Sequence, residues 1–317
     1  MNKVLFGAFV ATTLGLGGAA HAQQAVGIAT SNPGSLFHNI GTSVANAANA
    51  SGLNATIQPA TSPNQFIPFV NTGGIEFGVA NLQEVEYAIT GAEWWNGVEN
   101  PNLRIVGHLQ PLVEAIFVRA DSGIMSVADL AGLPMTDGYT AQNTILPQLS
   151  AFYATAGMTR DDIVPVNVAS VVAGADAFMA GDTVGFIFAH GAGKVREADA
   201  AVGGLRALGV GDDSDEALAS AQAHWPTAFF MSLPEGAMPG VLEETTYIAF
   251  PQVVFTHADV PDDVVAAMAR AMYEGGTIMG ETFPPMRAFR PENMRGALGV
   301  TQYHPGALAF FEEVGLE

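Results

Sequence analysis

Short apolar runs alternate with helical stretches along almost the whole chain, and this rhythm restricts the fold more than any other feature. Residues 25–29 form an apolar run, followed by the polar loop 30–35 and a helical stretch over 36–50. Runs at 54–58 and 76–80 repeat the pattern, with helices expected from near Gln65 and over 83–90. Further strands are expected at 103–109, 115–119, 134–137, 164–168, 184–189 and 205–210, with a long extended stretch at 247–256. Helices are expected before Gly157, over 172–180, 194–201 and 261–274, and from Pro305 onward. Strands that alternate with helices predict an α/β fold whose mostly parallel sheets are covered on both faces. Polar loops then lie at the carboxyl ends of strands, where open α/β sheets bind ligands.

The N-terminus limits the compartment. Lys3 precedes an uncharged apolar segment over 4–20, and Ala20-His21-Ala22 has the small-x-small form that signal peptidase reads. Cleavage after Ala22 and export to the periplasm are therefore expected, away from any ATP or NAD pool. The 317-residue chain less its first 22 leaves 295, more than one core comfortably holds, so two lobes are expected. Crossings between them are expected at 121–126 and 239–247, giving one lobe over 23–123 plus 245–317 and a second over 124–244. Asp and Glu number 31 against 11 Lys and Arg, a formal net charge of −20. Such an acidic surface repels nucleic acid and anionic lipid. The chain has no cysteine, which excludes disulfides, thiol nucleophiles and thiolate metal sites.

Four loops at strand ends share one character: hydroxyls and amides without cations. They contribute Thr30, Ser31 and Ser35; Thr61 and Asn64; Asn81 and Gln83; and Tyr139, Thr140, Gln142, Asn143 and Thr144. Any one of them reads equally as an ordinary helix cap. Four together, each offering backbone N–H groups at a helix start, point to a cleft that receives a small anionic group. Phe37 and His38 are expected on the cleft wall, and His190, at the end of the 184–189 strand, as a donor from the second lobe or a surface residue. Trp94, Trp95 and Trp225 suit either ligand stacking or packing, and Arg104 and Arg119 either an anion or a structural ion pair.

The sequence carries no His-Glu-x-x-His, no Gly-x-Ser-x-Gly and no Walker motif, and its histidines are scattered. Gly191-Ala192-Gly193-Lys194 lacks the P-loop spacing and its following hydroxyl. Binding without chemistry is expected, with no catalytic residue, metal or cofactor. Two alternatives remain open at this point: a periplasmic α/β hydrolase using Ser35 near His38, and a sensory module that presents its ligand to a receptor.

Several segments resemble one family. Asp121-Ser122-Gly123-Ile124 with Ser126-Val127-x-Asp129-Leu130-x-Gly132, Ile75-Glu76-Phe77-Gly78-Val79, and Tyr303-His304-Pro305-Gly306-Ala307 with Phe311-x-Glu313-x-Gly315-Leu316 are similar to the TAXI-type solute-binding subunits of tripartite ATP-independent periplasmic (TRAP) transporters. The resemblance implies a type II periplasmic binding protein, monomeric, whose two hinged lobes close on an organic acid or amino acid such as glutamate or 2-oxoglutarate. It also implies delivery to an ion-coupled membrane permease. The chain departs from the family pattern at Gly138–Thr144, at Leu82-Gln83-Glu84 and at Phe37-His38, three cleft-facing loops, so the ligand stays open.

Overall fold

The computed structural model describes residues 25–317, and the export segment expected at 1–22 lies outside the described residues. The chain starts with β1 (Ala25–Thr30), α1 (Leu36–Ala50), β2 (Asn54–Pro59), α2 (Pro63–Asn71), β3 (Phe77–Asn81), α3 (Leu82–Thr90) and β4 (Leu103–His108). It continues through β5 (Leu112–Arg119), β6 (Pro134–Asp137), α4 (Ile145–Thr155), β7 (Val164–Asn167), α5 (Val171–Ala180), β8 (Gly185–Ala189), α6 (Gly193–Val202), β9 (Leu205–Leu208), α7 (Asp215–Gln222), β10 (Phe229–Leu233) and β11 (Thr245–Phe250). It then passes through β12 (Gln252–His257) and finishes in α8 (Asp262–Glu274), α9 (Gly276–Thr282) and α10 (Pro305–Val314).

These strands form two sheets. The first has the order β2-β1-β3-β12-β4, and the second β10-β11-β5-β8-β6-β7 with β9 also beside β5. The strands joined through covering helices run parallel, as β1 does to β2 and β3 and as β6 does to β7 and β8. Their interiors are continuous apolar runs because both faces are covered: Phe77–Asn81 and Gly185–Ala189 are buried at every position. Both sheets are nevertheless mixed. β12 runs antiparallel to β3 and β4, and β5 runs antiparallel to β8, β9 and β11. The reason is the path of the chain. β5 and β12 each enter their sheet directly from the other one, without a helical crossover to reverse direction.

The passages between sheets fall at 109–111 and at Pro251, not in the segments 121–126 and 239–247 named from the sequence. β5 and β11 both belong to the second sheet, so the Asp121 turn lies inside that half. Arg119 pairs there with Asp121 at 2.9 Å, and Asp129 accepts from the Met125 and Ser126 N–H groups at 2.9 Å each. The two passages are stitched side by side. Leu109 N–H donates to the Gln252 carbonyl at 2.8 Å, Leu82 N–H to the Pro251 carbonyl at 2.9 Å, and the fully buried Gln252 donates through Nε2 to the Gln110 carbonyl at 2.8 Å.

The C-terminal motif also acquires a physical reading. His304 caps α10 by accepting the Gly306 N–H at Nδ1 (3.1 Å) while its Nε2 faces the Ala258 carbonyl at 3.1 Å. Pro305 occupies the first helical turn, where its missing N–H is no loss. Gly306 lies so close to the start of α8 that a Cβ there collides with the Asp262 carbonyl. Gly306→Ala is therefore expected to destabilise the protein by roughly 1–3 kcal/mol through overpacking. A urea titration checks this; an unchanged midpoint contradicts it.

Candidate functional site

Between the sheets lies a cavity with about 490 Å³ of atom-free space, part of it open to solvent. One wall comes from the carboxyl ends of β1, β2 and β3, which supply Ser31, Ser35, Thr61 and Asn81. The α1 start adds Leu36 and Phe37, and α3 adds Glu84. The facing wall is built from the second sheet and its helices: Glu114 of β5, Gln142 before α4, Gln148 of α4, and an apolar floor of Leu112, Ile145, Val171, Val172 and Phe188.

Local chemistry fixes these groups. Ser35 caps α1 by accepting the His38 N–H at 3.2 Å, which leaves the N–H groups of Leu36 and Phe37 without helical partners at the cavity edge. Glu84 sits in the first turn of α3, where its carboxylate accepts the Asn81 N–H at 2.9 Å. Gln142 accepts the Val171 N–H at 3.1 Å and so ties its loop to the start of α5. That loop is turned by Gly138 and Tyr139, both at positive φ (77° and 35°), with the buried Tyr139 hydroxyl donating to Thr136 Oγ1 at 2.7 Å. The Gln148 amide, oriented by its surroundings, donates to both Glu114 oxygens and accepts from Asn81 Nδ2, each at 3.2 Å.

The two halves touch directly across the cleft. Ser62 Oγ donates to the Ala141 carbonyl at 2.9 Å, Thr227 N–H to Gln83 Oε1 at 3.1 Å, and Lys194 N–H to the Gly34 carbonyl at 3.3 Å. With the Asn81–Gln148 contact these bonds define a closed form. Ser31 Oγ and Asn81 Oδ1, both on the cavity lining, are nonetheless buried with no hydrogen-bond partner. A satisfied protein interior leaves few such atoms, and the two on this lining can offer their hydrogen-bonding capacity to a polar guest.

The electrostatics are anionic. Glu84 and Glu114 are 1% and 2% exposed, and among the described residues no lysine or arginine lines the cavity. Burial pushes Glu84 up to about 7, against the opposing pull of the Asn81 N–H and the nearby Thr144 hydroxyl. Burial, with Glu84 as a neighbouring like charge, pushes Glu114 up to about 8. Lys194 pairs with Asp176 and Glu197 at 2.6 and 2.8 Å, and Arg160 pairs with Asp137.

Of the residues expected from sequence, Ser31, Ser35, Phe37, Thr61, Asn81 and Gln142 line this cavity. Thr30 is buried just beneath it, donating to the Ser31 carbonyl at 3.3 Å. Asn64 accepts from Ser62, and Gln83 serves the cross-cleft bond to Thr227. Thr144 is buried near Glu84, Tyr139 supports the loop from within, and Thr140 and Asn143 lie on the loop outside the cavity lining. His38 contributes its backbone to the α1 cap, and its ring is held neutral by partial burial. His190 is placed in an adjoining cavity with Val113, Met238 and Pro285. Its ring packs edge-on against Phe117 and Tyr247, at centroid distances of 5.1 and 4.6 Å. Burial there pushes its pKa down to about 3. Trp225 is fully buried, stacked on Trp94 (6.5 Å) and edge-on to Tyr87, so it is a packing residue. Arg104 donates to the Pro101 and Leu103 carbonyls.

Sequence reasoning missed Glu84, Glu114 and Gln148. Two signals were there: an acid three residues after Asn81 has capping-box spacing, and Glu114 is a lone charge inside the apolar strand Leu112–Val118. In an unfolded chain such carboxyls titrate near ~4.3. A carboxyl raised in the fold favours its neutral form, so the stability linked to it is intact below the unfolded value and lost as pH rises through the folded one. Glu84 and Tyr139 face Glu114, and no cation does. The ligand-free protein is therefore expected to lose stability from pH 5 to pH 8 relative to Glu114→Gln. That difference should grow by as much as about 1.4 kcal/mol per pH unit. Paired thermal melts check it, and parallel pH profiles contradict it.

A model of the NMT1-like family matches residues 28–315. Among solved structures, the fold is similar to MatC from Rhodopseudomonas palustris with bound malate, at TM-score 0.59 and 10% identity over 92% of this chain and 97% of that one. It is also similar to a structure described as a periplasmic transporter, at TM-score 0.57 and 12% identity over 93% and 94%. A weaker likeness, TM-score 0.49 and 14% identity over 93% and 89%, is to the periplasmic aliphatic sulphonate binding protein SsuA from Escherichia coli. At these identities the first two likenesses speak to the fold alone. With nine-tenths of its length matched, the chain belongs to the NMT1-like family.

Proposed function

We propose that this protein is a periplasmic solute-binding protein that captures a small molecule between its two halves and releases it unaltered to a membrane permease. One observation carries the reading: a cleft closed by direct bonds between the halves that still holds unpartnered buried polar atoms. A guest that touches both walls stabilises the closed form over the open one. The export segment at residues 1–22 and its cleavage after Ala22 fit this role. The same fold in MatC holds malate. A carboxylate end suits the rim formed by the α1 start, where Ser31, Ser35 and the unpaired N–H groups of Leu36 and Phe37 offer donors without an arginine. Thr61 from the first half and Gln142 from the second line the same cavity. A TRAP-type permease of the TAXI kind is the partner the sequence motifs favour, with the binding protein acting as a monomer.

The hydrolase alternative has less support. Ser35 Oγ is engaged as a helix cap with the His38 backbone. Among the described residues no helix is long and apolar enough to cross a membrane, and no group of three or more His, Cys, Asp or Glu is placed to hold a metal.

A thermal-shift screen of organic acids and amino acids tests the reading. A solute at 100 times its Kd adds about 2.7 kcal/mol to the folded state, a rise of several degrees. Ser31→Ala is expected to weaken binding roughly tenfold through the loss of one hydrogen bond. Turnover of an ester panel that disappears in Ser35→Ala would replace this reading with the hydrolase.

A further inference from the structure

We propose that the solute carries a protonated amine, which sits between Glu84 and Glu114 and draws the two halves of the protein together. The proposal rests on the solute-binding reading above and narrows the class of guest.

The two carboxyls come from opposite sides of the cleft. Glu84 belongs to α3, beside the first sheet, and Glu114 to β5 in the second, where it pairs in register with Ala189 and Ile248. Only closure places both on one cavity. Closure also removes their water, since each is almost completely buried. Two carboxylates in a shared, poorly solvated space cannot both remain charged without a compensating cation. The protein supplies none: among the described residues no lysine or arginine lines the cavity, and Lys194 and Arg160 are bound to acids elsewhere. The closed form is thus incomplete in one specific way, lacking positive charge between its walls.

The donor count agrees. An ammonium has three N–H donors and no acceptor. The cavity presents three acceptors in one place: Glu84, Glu114 and Asn81 Oδ1. Asn81 is 2% exposed; its amide nitrogen is committed to Gln148, and its Oδ1 has no partner. Gln148 in turn steadies Glu114 from the far side. A 2-oxo acid or dicarboxylate of the same shape would put acceptors against acceptors. If the carboxylate end lies at the α1 rim, the guest has its positive group at the carboxyl pair and its apolar part against Ile145, Val172 and Phe188.

The experiment is titration calorimetry of the full chain with matched pairs, each an α-amino acid and its 2-oxo acid, together with simple primary amines and CaCl₂ and NaCl alone. Wild type, Glu84→Gln and Glu114→Gln are compared, each first shown by thermal melting to be folded. The expected result is that at least one amine binds and is preferred over its oxo partner by at least about 100-fold, because a site built for N–H donors leaves its buried polar groups unpaired against an analogue without them. Each Gln variant should lower amine affinity by about 100-fold while leaving or improving that for the oxo acid, a reversal that a merely structural loss cannot produce. Equal or tighter binding of the oxo acids, or amine binding unchanged in both variants, overturns the proposal and leaves the solute-binding reading standing. Saturation by calcium or sodium alone, in place of any amine, also overturns it. A chain that takes up no member of any group overturns the solute-binding reading and the amine together.

Discussion

Two carboxyl groups held in one closed, cation-free cavity are the constraint on which the account depends. Glu84 and Glu114 are carried by different halves of the molecule, and their separation is set by how far the cleft has shut. Bringing buried like charges together is unfavourable unless a proton or a positive guest accompanies them. Their raised pKa values, near 7 and 8, are the electrostatic expression of that cost. Closure is therefore coupled to what occupies the cleft, which is the property a solute-binding protein requires.

The frame around the cavity suits such coupling. The halves are joined by two adjacent passages at 109–111 and Pro251, bonded to each other through Leu109, Leu82 and the buried Gln252. Each passage contains a proline, Pro111 and Pro251, which limits the backbone angles available there. Both passages are short, so few residues would have to change if the halves moved as bodies. The cross-cleft bonds at Ser62, Gln83 and Lys194 lie at the starts of helices rather than inside sheets, so opening would expose them to water without breaking a strand ladder.

Much of the fold was legible because the strands are continuous apolar runs bounded by polar loops, as in Phe77–Asn81 and Gly185–Ala189. The direction of β5 and β12 was not, since apolarity is the same for a parallel and an antiparallel strand and only the chain path decides between them. The passages were misplaced for a related reason. Asp121-Ser122-Gly123 has strong turn chemistry, and that turn serves a bend within one sheet. Hydroxyl and amide residues of the cleft, such as Ser31, Asn81 and Gln142, followed from their place after apolar strands. His190 looks the same in sequence but ends at a strand tip enclosed by Phe117 and Tyr247, a packing outcome that no local pattern encodes. Glu84 and Glu114 were hidden because an acid in a helix start or a strand reads as a cap or an exposed side chain until the opposite wall is in place. The segments that carry the family resemblance, around Asp121, Phe77 and His304, form turns, a strand and a helix cap away from the guest, so they identify the architecture and say little about what is bound.

The most direct test of the central claim is the distance between the two halves in solution. The absence of native cysteine allows a spin-label pair at the exposed positions Gln65 and Asp182, one on each half, to be read by pulsed dipolar spectroscopy. The account predicts a broad or longer distance without solute at pH 9, where both carboxyls are charged. An amine-bearing solute that binds should shift it to the single distance of the closed form. A single short distance that stays the same with and without solute, at every pH, would contradict it.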